Sequence, residues 1–221
     1  MPPWAQGWQG GRAKMFSVTD LKQAVYCERI PYFDRCLPGL SVLKTPKMAE
    51  GAIQNETEED RERRRSLRAY GLQRGARRYE VALASERLGL SGVLDMLITV
   101  EEDGAVVERI PVDYKNADPR PGGVAGWHGS EVWRNWRMQL AAYAVLVEDA
   151  WPDDPPVRRG FIYAIPVGRA FEVEMTDALR ARARGLPERL RDMVEREIMP
   201  EAPDDRRRCS ACEYRRFCND I

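Results

Sequence analysis

From Tyr79 onward, apolar and polar positions alternate in five short runs: "YEVALAS", "GVLDMLITV", "AVVERIPVDYK", "GFIYAIPV" and "AFEVEMT". Their period of two, their β-branched content and their Gly, Pro or acidic boundaries predict five strands. "EDG" joins the second to the third and predicts a hairpin. Between the third and fourth, "SEVWRNWRMQLAAYAVLVEDA" switches to a helical repeat. After the fifth, "DALRARARGLPERLRDMVEREI" puts Leu186, Leu190, Met193 and Val194 on one helical face, and Pro187 after Gly185 predicts a division into two helices. Upstream, "SVTDLKQAVYCERIPYFDRCL" begins with Ser/Thr/Asp capping chemistry and sets Leu21, Val25 and Cys27 at helical intervals. "KMAEGAIQNETEEDRERRRSLRAYGL" reads as a charged helix, with acids first and arginines after, in accord with the helix dipole. Helices, three strands, a helix, two strands and a helix make an α/β core: one mixed sheet with helices around it.

Composition narrows this picture without changing it. The 221 residues suffice for one buried core with an appended lobe. "MPPWAQGWQGGRAKMF" lacks a long apolar stretch, so residues 1–15 read as a flexible extension and 16–221 as a single domain. No run approaches the roughly 18 apolar residues of a membrane span, and a cytoplasmic location is expected. Thiols stay reduced there, which makes the five cysteines candidates for metal ligation or core packing. Basic and acidic residues balance at 35 each, so any affinity for nucleic acid must be local. Arg61, Arg64, Arg65 and Arg68 form one such local stripe at helical spacing, suited to a phosphate backbone or to solvent.

The candidate chemistry lies in the strands. Alternation puts Asp113 and Lys115 on one face among apolar neighbours, and Asp95 lies midway along the preceding apolar strand. Two carboxylates brought together repel unless a cation separates them, and hard oxygen donors select Mg²⁺ or Mn²⁺. A structural Asp113–Lys115 ion pair, with Asp95 closing a turn, is the competing reading. On the following helix, Gln139 and Tyr143 share a face, beside Trp133, Trp136 and Arg137, which could stack on bases, grip phosphate or simply pack. At the end, "RRRCSACEYRRFCNDI" crowds Cys209, Cys212 and Cys218 together, one short of the usual four ligands.

"SGVLD", "VDYK" and "QLAAY", with "SVTDLKQAVYCERIPYF" before them and "CSACEYRRFC" after, resemble the motifs of the RecB-like nucleases of the PD-(D/E)xK superfamily. The CRISPR-associated RecB-like exonucleases, the Cas-four family, match best, from about Met15 to Cys218. The resemblance implies a restriction-endonuclease-like fold and metal-dependent hydrolysis of DNA. Asp95, Asp113 and the Tyr114 backbone carbonyl would hold Mg²⁺ or Mn²⁺, Lys115 would stabilise the transition state, and Gln139 and Tyr143 would orient the strand or the ligands. It also implies a 4Fe–4S cluster on Cys27, Cys209, Cys212 and Cys218, in a lobe built from about 16–40 and 200–221; zinc is the competing occupant, and Cys36 is left out.

One position departs from the family pattern. A metal-ligating histidine is expected in "EGAIQNETEED", where Asn55 stands, and the lone histidine, His128, lies elsewhere. The site then works with Asn55, recruits Glu50 or Glu56, or cuts slowly, the last making the chain a DNA-recognition scaffold. The resemblance further implies trimming of prespacer DNA with single-stranded overhangs, selection of the flanking motif, and work with the integrase (Cas-one) and Cas-two, in some members as a fusion with the integrase.

Overall fold

The structure, a computed structural model, describes residues 15–37, 66–118 and 129–218, with side chains absent from the description at 129–132 and 211. Asn55, Glu50, Glu56, Arg61, Arg64, Arg65 and His128 lie outside the described residues. The elements in order are β1 (Phe16–Ser17), α1 (Val18–Tyr26), α2 (Arg29–Cys36), a 3-10 turn (Leu67–Tyr70), β2 (Ala76–Ser85), β3 (Leu90–Glu102), β4 (Ala105–Lys115), α3 (Gly129–Ala150), β5 (Arg159–Ala164), β6 (Arg169–Glu174) and α4 (Asp177–Glu195).

The five predicted strands form, and β1 joins them in one mixed sheet. The β3–β4 hairpin turns at Asp103 and Gly104, whose φ values of 51° and 81° suit a tight two-residue turn. β4 pairs with β5 in parallel, which requires a crossover, and α3 lies in that connection. β3 is the central strand. One edge pairs with β2 from Leu90 to Thr99. The other edge pairs with β1 at Leu90–Ser91 and with β4 only from Met96 onward, so Gly92–Asp95 face a notch between two partner strands.

Two apolar layers sandwich the sheet. On one face Leu90, Leu94, Leu97 and Ile162 pack with Val18 and Leu21 of α1, Leu140 and Val147 of α3, and Leu186, Leu190 and Val194 of α4. On the other, Met96, Ile98, Ile110, Val112 and Phe161 pack under Tyr70 of the 3-10 turn. Side chains at 183, 186, 190 and 194 continue one buried stripe past Pro187. That stripe holds α4 together as a single helix, where the sequence predicts two, despite the N–H the proline removes.

Three further differences from the sequence reading have local causes. The "SVTDL…DRCL" segment breaks at Cys27, which caps α1 in extended geometry before α2 starts. Ser66 accepts from the Arg68 N–H and starts the 3-10 turn, so Arg68 sits in a separate short element ended by Gly71. Trp136 is 9% exposed inside the core, and Trp133 packs edge-on against Phe171 with ring centroids 6.2 Å apart. Both indoles serve packing, because this face of α3 turns toward the sheet. Arg137 remains half-exposed. Among the described residues, no helix is long and apolar enough to cross a membrane.

Candidate active site and cysteine-lined cavity

The notch gathers the candidate chemistry. Ladder bonding fails where β1 ends and β4 has not begun, so side chains satisfy the backbone instead. The Tyr143 hydroxyl donates to the Val93 carbonyl at 2.7 Å. From the far side, the Tyr114 N–H donates to Asp95 Oδ2 at 2.6 Å. In an extended strand a residue's N–H and C=O face the same side, so the Tyr114 carbonyl also looks toward the notch. Gly92 makes the close packing possible. A Cβ there would stand 2.9 Å from Val18 Cγ2 and 3.0 Å from Tyr143 Cε1, so only glycine lets α1 and α3 close on β3 here.

Asp113 is 2% exposed and forms an ion pair with Lys115, its neighbour on the same strand face. The predicted structural pair is therefore present, yet Asp95 closes no turn. It sits mid-strand, half-buried, opposite Asp113 across the notch. Burial, and then the Asp113 charge, push the Asp95 carboxyl up to about 7, against the lowering pull of Lys115 and the Tyr114 amide. The Tyr143 hydroxyl is also pushed up, chiefly by burial and then by Asp113 and Asp95. Gln139 is 6% exposed, and its buried Oε1 has no hydrogen-bond partner. An unmatched buried acceptor beside two mutually repelling carboxylates is the polarity a hard divalent cation matches. Among the described residues, no third His, Cys, Asp or Glu completes a metal-binding group with them.

Two features here escaped the sequence reading. Glu80 of β2, opposite Asp95, has a φ of 47°, a left-handed strain that non-glycine residues seldom carry mid-strand, and its charge raises the Asp95 carboxyl further. Lys22 of α1 is half-buried and interacts electrostatically with Lys115, Asp113 and Asp95; burial first, then Lys115, lower its ammonium to about 8. Nothing in the spacing of either residue pointed to the site.

A second constellation lies between α1–α2 and the tail. Cys27, Cys209, Cys212 and Cys218 line one small cavity with Tyr26, Arg29 and Tyr214. Arg29 Nη1 donates to Cys218 Sγ at 3.1 Å, and its Nε donates to the Pro200 carbonyl at 2.8 Å. Arg208 Nη1 donates to the Tyr26 carbonyl at 2.9 Å, while the Tyr26 hydroxyl donates back to the Arg208 carbonyl. Phe33 stacks on Tyr214 at 5.2 Å, and Tyr214 donates to Asp34. Burial raises the Cys27 and Cys212 thiols. Among the described residues, no group of three or more His, Cys, Asp or Glu side chains is arranged to hold a metal ion. Cys36 stands apart, packed against the main core.

The comparisons with known proteins bear on the family. The profile of the PD-(D/E)XK nuclease superfamily matches residues 16–219. A CRISPR-associated exonuclease Cas4 of Francisella tularensis subsp. novicida is 26% identical over 92% of this chain and 93% of its own. One from Aeropyrum pernix is 26% identical over 92% of this chain and 94% of its own. A Cas4/endonuclease Cas1 fusion of Myxococcus xanthus is 31% identical over 66% of this chain, which spans 24% of the fusion. The crystal structure of the protein SSO0001 superimposes with a TM-score of 0.53 at 18% identity, covering 98% of this chain and 90% of that one, and bears on the fold alone. With its mixed sheet, its notch on β3 between β1 and β4 and a profile match over nearly its full length, the chain belongs to the PD-(D/E)XK nuclease superfamily, as a CRISPR-associated RecB-like DNA nuclease.

Proposed function

We propose that this nuclease trims the single-stranded overhangs of prespacer DNA and selects the flanking motif before integration. It would act beside the integrase and Cas-two in the cytoplasm. The observation that supports the reading best is the notch at Gly92–Asp95, where a strand gap opens between two carboxylates and a paired lysine. The Myxococcus relative, which carries an integrase on the same chain, favours the integrase as the working partner.

In this reading Asp95, Asp113 and the Tyr114 carbonyl hold Mg²⁺ or Mn²⁺, which supplies Lewis acidity and neutralises charge at the phosphodiester. Asp113 fixes the Lys115 ammonium at the rim of the notch, where it orients the attacking water and stabilises the negative charge that grows on the phosphate. Gln139 offers its unmatched Oε1 to that water or to the cation's hydration shell. Tyr143 holds β3 in place through the Val93 carbonyl, a positioning role. Cys27, Cys209, Cys212 and Cys218 carry a 4Fe–4S cluster, which joins the first helix to the tail, and the Arg29 hydrogen bond to Cys218 tunes it.

The test is cleavage of a duplex with 3′ overhangs, with Mn²⁺ and then with Mg²⁺. Asp113→Ala and Lys115→Ala should each abolish cutting and leave a broad absorption near roughly 400 nm unchanged. Cutting retained in either variant overturns the assignment. Asn55, where the family pattern has histidine, motivates the scaffold reading, and cutting seen only after Asn55→His would select it.

A further inference from the structure

The sequence motifs leave Lys22 without a role, and the topology gives it a place. β1 lies along the notch edge of β3, in parallel, ending at Ser17 opposite Ser91. A reciprocal capping box, Ser17 with Asp20, starts α1 at the next residue. Val18 then meets Gly92 directly. Lys22 follows Val18 by one turn on the same helix face, about 6 Å further on. Asp95 follows Gly92 by three residues, about 10 Å along the strand. Helix and strand set out from this shared start, and α1 packs against β3. A lysine side chain reaches the remaining distance, and the charges Lys22 feels are those of Lys115, Asp113 and Asp95.

Asp113 is paired with Lys115, and Asp95 with the Tyr114 amide. Among the described residues Lys22 forms no ion pair, whereas the carboxylate next to it on α1, Asp20, is held by Arg35 at 2.6 Å. A half-buried lysine set over a pair of carboxylates is costly to keep beside a divalent cation unless an anion also arrives. The anion that the proposed nuclease brings here is a DNA phosphate.

We propose that Lys22 is a second cationic substrate contact of this site, gripping a phosphate of the DNA strand lying in the notch, on the α1 side and opposite Lys115. The contact rests on the nuclease reading above for its substrate. It assigns α1, otherwise a packing helix, part of the strand-binding surface.

The test has two arms. First, single-stranded DNA affinity is measured without divalent metal across a salt series for wild type, Lys22→Gln and Lys22→Arg. Lys22→Gln should flatten the slope of log affinity against log salt by about 0.7, and Lys22→Arg should restore it. Second, single-turnover cleavage with Mn²⁺ should slow by about 10- to 100-fold in Lys22→Gln and recover in Lys22→Arg. An unchanged salt slope in Lys22→Gln overturns the proposal, whatever happens to the cleavage rate, because a lysine that only offsets Asp95 and Asp113 touches no phosphate. If Asp113→Ala still cuts like wild type while Lys22→Gln loses slope, the assignment of Asp113 to the cutting site falls and the phosphate contact stands.

Discussion

At the scale of single residues, Asp95 carries the clearest pH signature. Unfolded, its carboxyl titrates near 3.8; folded, it is pushed up to about 7. The folded state therefore keeps a proton that the unfolded state releases between those values. Metal-free stability is highest at the acid end of this window, declines as pH rises through it, and is flat above about 7 on this account. Asp95→Asn removes the dependence. Without metal at pH 8 it should melt several degrees above wild type, and the two should converge toward pH 4. Thermal unfolding at four or five pH values checks this; parallel curves would show that Asp95 ionises freely. Mn²⁺ should reverse the order in wild type alone, with a larger melting shift at pH 8 than at pH 6, because binding needs the deprotonated carboxylate. Asp95, Asp113 and Lys115 were legible in the sequence because strand alternation fixes which side chains share a face. Lys22 and Glu80 were not. The first depends on where a two-residue strand docks, the second on a backbone angle that no composition reveals.

At the scale of elements, the notch depends on how tightly α1 and α3 close over β3. Gly92→Ala pushes a methyl group into Val18 and the Tyr143 ring and should cost about 1–3 kcal/mol. Denaturant unfolding reads the cost. The same change should lower cleavage, since it displaces the tyrosine that holds Val93 two residues from Asp95. A variant as stable and active as wild type would show that this contact relaxes freely. The strands of the sheet were readable from period and turn chemistry, the "EDG" hairpin most directly. The errors fell where tertiary packing outweighs local preference. Pro187 fails to break α4 because four buried side chains run along one stripe past it. Trp136, open in the sequence between stacking and packing, is core in space, since a helical face is assigned only once its sheet is known.

Over the whole molecule, the tail folds back on the first two helices. Arg29, Tyr26, Tyr32, Phe33 and Asp34 each reach residues between 197 and 218, and Arg189 bridges to Glu28 at 2.8 Å. The apolar cluster behind this contact is small: Ile30, Phe33 and Tyr214, with the cysteines around it. Phe33→Ala should cost about 3 kcal/mol or more locally and release the tail to proteases while the sheet persists. Limited proteolysis with mass analysis would register it; simultaneous loss of sheet and tail would mean that the lobe is no separate unit. The cysteines stand out in the sequence, whereas the arginine and tyrosine links around them carry no spacing rule.

α1 is nine residues long, with Cys27 closing one end and Lys22 little more than a turn away. Whatever happens at the sulfur cavity therefore has a rigid, short lever into the notch. Oxidative damage to those thiols should blunt DNA cutting well before it unravels the protein, so an oxidised preparation can look intact by light scattering and circular dichroism and still be a poor nuclease.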